Sequence, residues 1–179
     1  MSDIFDISGR LALVTGSTRG LGRPLAEGLA NAGARVIVHG RNADAAARSA
    51  SEIADASGQP AASVAFDVTD AAGVEEGITG MIAAHGVPDI LVNNAGVQRR
   101  APIQDFAVSD WDDIIAANLN GVFYVSRFVA PAMIERGSGK IVNVASVQSF
   151  LARQTIAPYS ASKGGVAQLT KGMAADLAR

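Results

Sequence analysis

Five times along this chain a short apolar run is followed, across a few turn residues, by a segment of helix length. The runs are RLALVTG, ARVIVHG, AASVAFDVTD, DILVNNAG and GKIVNVAS. Their apolar stretches are continuous rather than alternating, which is how a strand buried on both faces reads. The segments between them carry helix end signals. The first runs from Leu21 to Ala32, with Pro24 in its first turn, where a missing N–H does no harm, and Gly33 past its end. The second, NADAAARSASEIADASG, has Asn42 as its N-cap and Gly58 after it. A third spans Ala71 to His85. In the fourth, Ser109 to Arg136, the Ser109-x-x-Asp112 spacing predicts a capping-box variant at the start, and Pro131 predicts a kink. The last begins near Ala157 and runs to the end of the sequence. Strand–helix alternation of this kind builds right-handed βαβ units, so the expected fold is α/β, a doubly wound parallel sheet with helices on both faces. Such sheets bind ligands beyond the carboxyl ends of their strands. That directs attention to Gly16 to Gly22, Gly40 to Asn42, Asp67 and Val68, Asn93 to Gly96, and Ser146.

Composition narrows the partners. At 179 residues, 49% hydrophobic and 18% charged, the chain has the length and apolar content of one globular domain. A net charge of −2 gives no basic surplus for nucleic acid or an anionic membrane. With no cysteine and only His39 and His85 as histidines, no metal centre is expected. The N-terminal MSDIFDISGR is acidic and lacks an apolar core, and no apolar run approaches the ~20 residues of a membrane span, so a cytoplasmic location is expected.

The loop after the first strand reads TGSTRGLG, with glycines at 16, 20 and 22. Gly16 suits a tight turn, Gly20 a close approach of backbone to ligand, and Gly22 close helix–sheet packing. The helix that follows presents N–H groups and a positive dipole end to a phosphate. The spacing is not G-x-G-x-x-G, but the place in the first βαβ unit makes Gly16, Ser17, Thr18, Arg19, Gly20, Leu21 and Gly22 candidate dinucleotide contacts. A NAD site usually follows with an acid at the end of the second strand, for the ribose 2′-OH. Here that strand ends His39-Gly40-Arg41-Asn42, without an acid. Arg41 suits a 2′-phosphate, with Arg19 as a second cation and Asn42 beside it. The expected cofactor is NADP(H) rather than NAD(H).

Near the end of the sequence, PYSASKGG places Tyr159 and Lys163 four positions apart, on one helix face. Alone, such a pair is an ordinary helix surface. It gains meaning from Ser146 at the end of the fifth strand, Asn118 within IIAANLNG, and NNAG closing the fourth strand. Reducing a ketone needs a hydride on carbon and a proton on oxygen. A free tyrosine titrates near ~10 and is a poor base at neutral pH, but an ammonium within a few Å favours its phenolate. A serine hydroxyl can bond the same oxygen as charge develops on it.

TGSTRGLG, NNAG, Asn118, Ser146 and YSASK stand in the order and spacing of the short-chain dehydrogenase/reductase family, which the sequence resembles over essentially its whole length. The resemblance implies a Rossmann-type fold, residues 1–179 forming one NAD(P)-binding domain, and hydride transfer between a nicotinamide and an alcohol or carbonyl. It implies Asn118, Ser146, Tyr159 and Lys163 as the catalytic set, Lys163 also holding the nicotinamide ribose and Asn118 a relay water. Asp67 and Val68 would lie on the adenine side. Asn94, Ala95 and Gly96 would join the cofactor contacts, and Asn93 would hold either the adenosine ribose or the strand geometry. Members of the family generally continue through two further strands and a substrate lid, so the fold is expected to lack its last strands. The long helix and the final helix resemble those that pair subunits, implying a homo-oligomer, a dimer or tetramer.

Two stretches, NNAGVQRR and RQTIAPY, resemble the branch of the family that interconverts D-gluconate and 5-keto-D-gluconate with NADP(H). A sugar-acid carboxylate suits an arginine at the pocket mouth; Arg99 and Arg100 both follow the fourth strand, and Arg100 is the choice, with Ser146 and Tyr159 on the reacting oxygen. A 3-oxoacyl thioester or another polyol is the alternative substrate, and a nucleotide-binding module without catalysis the alternative class. His85 and Trp111 read as structural or surface residues.

Overall fold

The computed structural model describes residues 6–178. Residues 1–5, which include part of the acidic N-terminal stretch, and Arg179 lie outside the described residues. Leu11–Val14 (β1) is the middle of the sheet, paired in parallel with Arg35–Gly40 (β2) on one side and Ile90–Asn93 (β4) on the other. Ala61–Ala65 (β3) adds outside β2 and Lys140–Asn143 (β5) outside β4, giving the order β3-β2-β1-β4-β5. After β3 the chain crosses back to β4, so the loops leaving β1 and β4 diverge and open a crevice between them. That is where a parallel sheet of this kind takes a ligand.

The helices are Gly22–Asn31 (α1), Ala43–Ser57 (α2), Ala71–His85 (α3), Val108–Ile115 (α4), Gly121–Arg136 (α5) and Ala157–Leu177 (α6). Neighbouring strand residues feed opposite cores, as the period of two requires. Leu13, Ile37 and Leu91 join Val74 and Ile78 of α3 and Val125 and Val129 of α5. Val14, Val36, Val38 and Val92 join Ala26 and Ala30 of α1 and Ala46 and Ile53 of α2. Each buried Val, Leu or Ile among them stabilises the fold by about 1.5–3 kcal/mol, which is why the central strands read as unbroken apolar runs.

The second helix begins and ends as its sequence predicts. Asn42 accepts a hydrogen bond from the Ala45 N–H at 2.8 Å, and Gly58, at φ +69°, closes the end in the left-handed region. The fourth does not. Its first residue is Val108 and its N-cap is Ala107, which has no capping side chain, so Ser109 lies inside the first turn and forms no capping box. The expected single helix is also interrupted: Ala116–Asn120 forms one wider π-turn between α4 and α5, while the helix continues across Pro131. A π-turn displaces its residues from the regular helical face, and such turns gather at functional sites. This one contains Asn118. β3 and β5 are the sheet edges among the described residues, and β5 alternates exposed with half-buried positions.

Candidate active site

The glycine loop is shaped by two left-handed glycines, Gly16 at φ +64° and Gly20 at φ +60°. A Cβ on Gly20 would meet nothing within 4 Å, so at that point the backbone is bare toward open space. α1 then starts with no side-chain cap at Leu21 and no acid in its first turn, leaving its N–H groups and positive end for an anion. Gly22 does the opposite job: a Cβ there would stand 2.2 Å from the Gly16 carbonyl oxygen and 2.5 Å from Asn94 Nδ2. Those neighbours are a main-chain atom and a bonded amide, since Asn94 Nδ2 donates to the Thr15 and Gly16 carbonyls. Gly22→Ala is therefore expected to lower stability by about 2 kcal/mol, read as a drop in Tm, with Gly28→Ala, where a Cβ meets open space, as the tolerated control.

Beyond the loop lies the end of β2 and β3. Gly40 lines the crevice, with room only because it lacks a Cβ, which would stand 2.6 Å from the Thr18 methyl. Arg41 is 71% exposed and pairs at 3.7 Å with Asp67. Burial pushes the Asp67 carboxyl up, but hydrogen bonds from the Thr69 N–H and hydroxyl, with Arg41 nearby, outweigh it and hold the carboxyl below its usual value. Arg19 also faces the crevice. Two cations and one carboxylate thus line the end of the crevice farthest from the YSASK helix.

At the other end, Tyr159 and Lys163 both line the crevice from α6, the Lys163 Nζ lying 5.8 Å from the Tyr159 ring centre. Lys163 is 5% exposed, donates to the Val144 carbonyl, and is pushed below its ordinary lysine value by burial. Ser146 stands just past β5, where it caps the short turn Val147–Ser149. Its Oγ accepts from the Gln148 N–H at 3.2 Å, which leaves its own proton free to be donated. That turn is fixed to α6 by the Ser149 hydroxyl donating to the Lys163 carbonyl at 2.8 Å. Asn118 is wholly buried. Its Oδ1 accepts from the Val97 N–H at 2.7 Å, and its Nδ2 donates to the Val97 carbonyl and the Ser162 hydroxyl. Ser162 in turn donates to the Tyr159 carbonyl. With both amide hydrogens engaged, the Asn118 side chain is a brace between the loop after β4 and the first turns of α6.

One crevice of about 440 Å³ therefore joins the glycine loop, Arg41, Asp67, Val68, Asn94, Ala95 and Gly96 to Tyr159 and Lys163. Ser17, Gly22, Asn42, Asn118, Ser146 and Arg100 do not line it. Ser17 is buried with its hydroxyl on the Val14 carbonyl, and Asn42 has its side chain on the α2 N-terminus. Asn93 braces strands: its Nδ2 donates to Ser126 and to Asn143 of β5. Arg100 is exposed on the loop after β4, and Arg99 pairs with Asp110 at 3.5 Å. That loop meets the RQTIAPY segment, since the Ala101 N–H donates to the Thr155 carbonyl at 3.1 Å, and Thr155 holds φ +70°. The residue directly after NNAGVQRR is thus bonded to RQTIAPY, the other stretch singled out in the sequence. Sequence reading missed His39, Thr69, Val97, Gln98, Ala117 and Val144 as lining residues. Val144 had a signal, its place directly after β5. Ala117 had none, because the π-turn that sets it at the crevice wall is not legible in the residue types.

Comparison with known proteins agrees with this arrangement. The short chain dehydrogenase family profile matches residues 10–179. The chain is 52% identical over 177 residues to the gluconate 5-dehydrogenase of Gluconobacter oxydans, covering 99% of this chain and 69% of that one. It is 41% identical to the 5-keto-D-gluconate 5-reductase of Escherichia coli K12, covering 100% of this chain and 70% of the relative. A crystal structure of a gluconate 5-dehydrogenase from Burkholderia cenocepacia, in complex with NADP and tartrate, superposes with a TM-score of 0.95 at 52% identity, over 98% of this chain and 68% of that one. With a Rossmann-like parallel sheet, a glycine-loop crevice and the Tyr159–Lys163 pair at its far end, the chain belongs to the short-chain dehydrogenase family.

Proposed function

We propose that this chain forms the catalytic domain of an NADP(H)-dependent oxidoreductase that interconverts a secondary alcohol and a ketone on a sugar acid, D-gluconate and 5-keto-D-gluconate. The observation that carries the reading is the single crevice with an anion-ready helix start and two arginines at one end and Tyr159 with Lys163 at the other. The site fits the dinucleotide on its own features: the bare backbone at Gly20, the uncapped N-terminus of α1, and Arg19 and Arg41 in place of the acid that a ribose 2′-OH would call for. The likeness to proteins named for gluconate and its 5-keto form supports the substrate. Bound NADP(H) would supply the hydride donor or acceptor. Tyr159 Oη takes the hydroxyl proton when the alcohol is oxidised and returns it when the ketone is reduced. Ser146, its proton uncommitted, donates to that same oxygen and stabilises the charge that grows there. The Lys163 ammonium, fixed by the Val144 carbonyl at the crevice wall, favours the phenolate through its charge. Asn118 keeps Tyr159 in register through Ser162.

Absorbance of NADPH, followed with NADP⁺ and D-gluconate beside NAD⁺ and a panel of polyols, tests the reading. Turnover of gluconate with NADP⁺ is the expected result; turnover of other alcohols alone would reject the substrate, and preference for NAD⁺ would reject the role of Arg41. Arg100, which makes no ion pair among the described residues, is assigned the substrate carboxylate. Arg100→Ala should raise KM for gluconate by about thirtyfold while leaving KM for NADP⁺ unchanged, the loss of one charge-assisted contact.

A further inference from the structure

His39 is the buried titratable group that the reaction does not use. It is 2% exposed, yet its ring and main chain make bonds that together decide the shape of the glycine loop. The Gly16 N–H donates to His39 Nδ1 at 3.0 Å. The Ser17 N–H donates to the His39 carbonyl at 2.9 Å, and the His39 N–H donates to the Ser17 hydroxyl at 3.0 Å. On the far side of the ring, Nε2 faces the Phe66 carbonyl at 3.1 Å, the residue before Asp67. Because Nδ1 must accept from an N–H and Nε2 must donate to a carbonyl, both bonds are satisfied only by the neutral ring with its hydrogen on Nε2. The ring leans on Phe66, with centres 4.1 Å apart. Burial keeps it uncharged, holding its pKa down to about 4.

Gly16 is the first left-handed turn of the loop, and nothing in its own side chain fixes its direction. Without the His39 acceptor, its part-buried N–H loses its partner, and the loop must shift to satisfy it. From these contacts we infer that His39 is a positioning residue for cofactor binding: it ties the glycine loop at Gly16 to the end of β3 at Phe66, setting the phosphate end and the adenine end of the crevice in one fixed relation. The inference rests on the crevice being an NADP(H) site.

The two ring bonds can be removed one at a time. Asparagine places an oxygen where Nδ1 stands, so His39→Asn keeps the Gly16 acceptor and gives up the Phe66 bond. Glutamine places its amide where Nε2 stands, so His39→Gln keeps the Phe66 bond and leaves Gly16 without its acceptor. A merely structural histidine would make the two variants alike, each short of one bond. The latch makes them differ: His39→Gln should weaken NADP⁺ binding by roughly tenfold, measured by isothermal titration, and His39→Asn by less than about threefold. Turnover at saturating NADP⁺ should change little in both, and amide exchange at Gly16 in the cofactor-free protein should quicken in His39→Gln alone. Equal weakening in both variants, or none in His39→Gln, would overturn the latch while leaving the cofactor reading in place. Failure of the unsubstituted protein to bind NADP⁺ would overturn the cofactor reading, and the latch with it.

Discussion

Tyr159→Phe is expected to lower kcat for gluconate oxidation by roughly a thousandfold, the range that a positioned general acid–base supplies. The substitution removes one oxygen and keeps the ring that lines the crevice near Lys163, so the shape of the site survives. Dissociation constants for NADP⁺ should therefore stay within about twofold, and the loss should appear in kcat and kcat/KM together, as removal of an interaction made in the transition state does. Single-turnover kinetics with bound cofactor would check this directly. Retained turnover in Tyr159→Phe would show that the proton leaves by another route and would end the catalytic assignment. Lys163→Met provides the contrast. It removes the ammonium that favours the phenolate and also a group that reaches from Val144 into the crevice, so both kcat and NADP⁺ binding should suffer. A split between the two variants, kcat alone for Tyr159 and both parameters for Lys163, would distinguish the proton carrier from the residue that charges and orients it.

How far the residues alone led is set by how local each signal was. The strands were legible because burial on both faces demands unbroken apolar runs, and β1, β2 and β4 obey it. Asn42 and Gly58 were legible because caps act within one turn. The direction of the crevice followed from the parallel topology. The misses came where distant parts of the chain set the outcome. Ser109-x-x-Asp112 has the letters of a cap, but the loop before it delivers the chain to the helix at Ala107, two residues too early for Ser109 to serve. Asn118 was named for its place within IIAANLNG and for the family resemblance, yet it sits in a π-turn and bonds Val97 and Ser162, and neither partner is near it in sequence. His39 sat in plain view at the end of β2 and read only as one of two histidines. Its role depends on Gly16 and Phe66, which the sheet brings together from two other strands.

The same histidine should govern how the fold responds to acid, and the sign can be worked out from its surroundings. Burial lowers its pKa from the ordinary 6.5 to about 4, against the smaller opposing pulls of the Phe66 carbonyl and the Asp67 charge. Above pH 6.5 the ring is neutral folded or unfolded, and its contribution is fully present. As the pH falls from 6.5 toward 4, the unfolded chain takes up a proton there and the folded chain does not, so unfolding is favoured by up to about 3 kcal/mol. Asp67 works in a different window. Its carboxyl is held below the usual 3.8, so the stability it lends is lost only as the pH drops below that value. Urea unfolding across this range should show stability falling between pH 6.5 and about 4, before carboxylates enter. His39→Asn cannot take up that proton, so it should be less stable than the unsubstituted protein at neutral pH and nearly flat over the same interval. A slope that persists unchanged in His39→Asn would assign the acid response to other groups. A slope that vanishes would show that the ring must stay neutral for the fold, the same condition under which Nδ1 can accept from Gly16. Acid would then open the glycine loop for the reason that it destabilises the domain: a proton on Nδ1 faces the Gly16 N–H donor to donor.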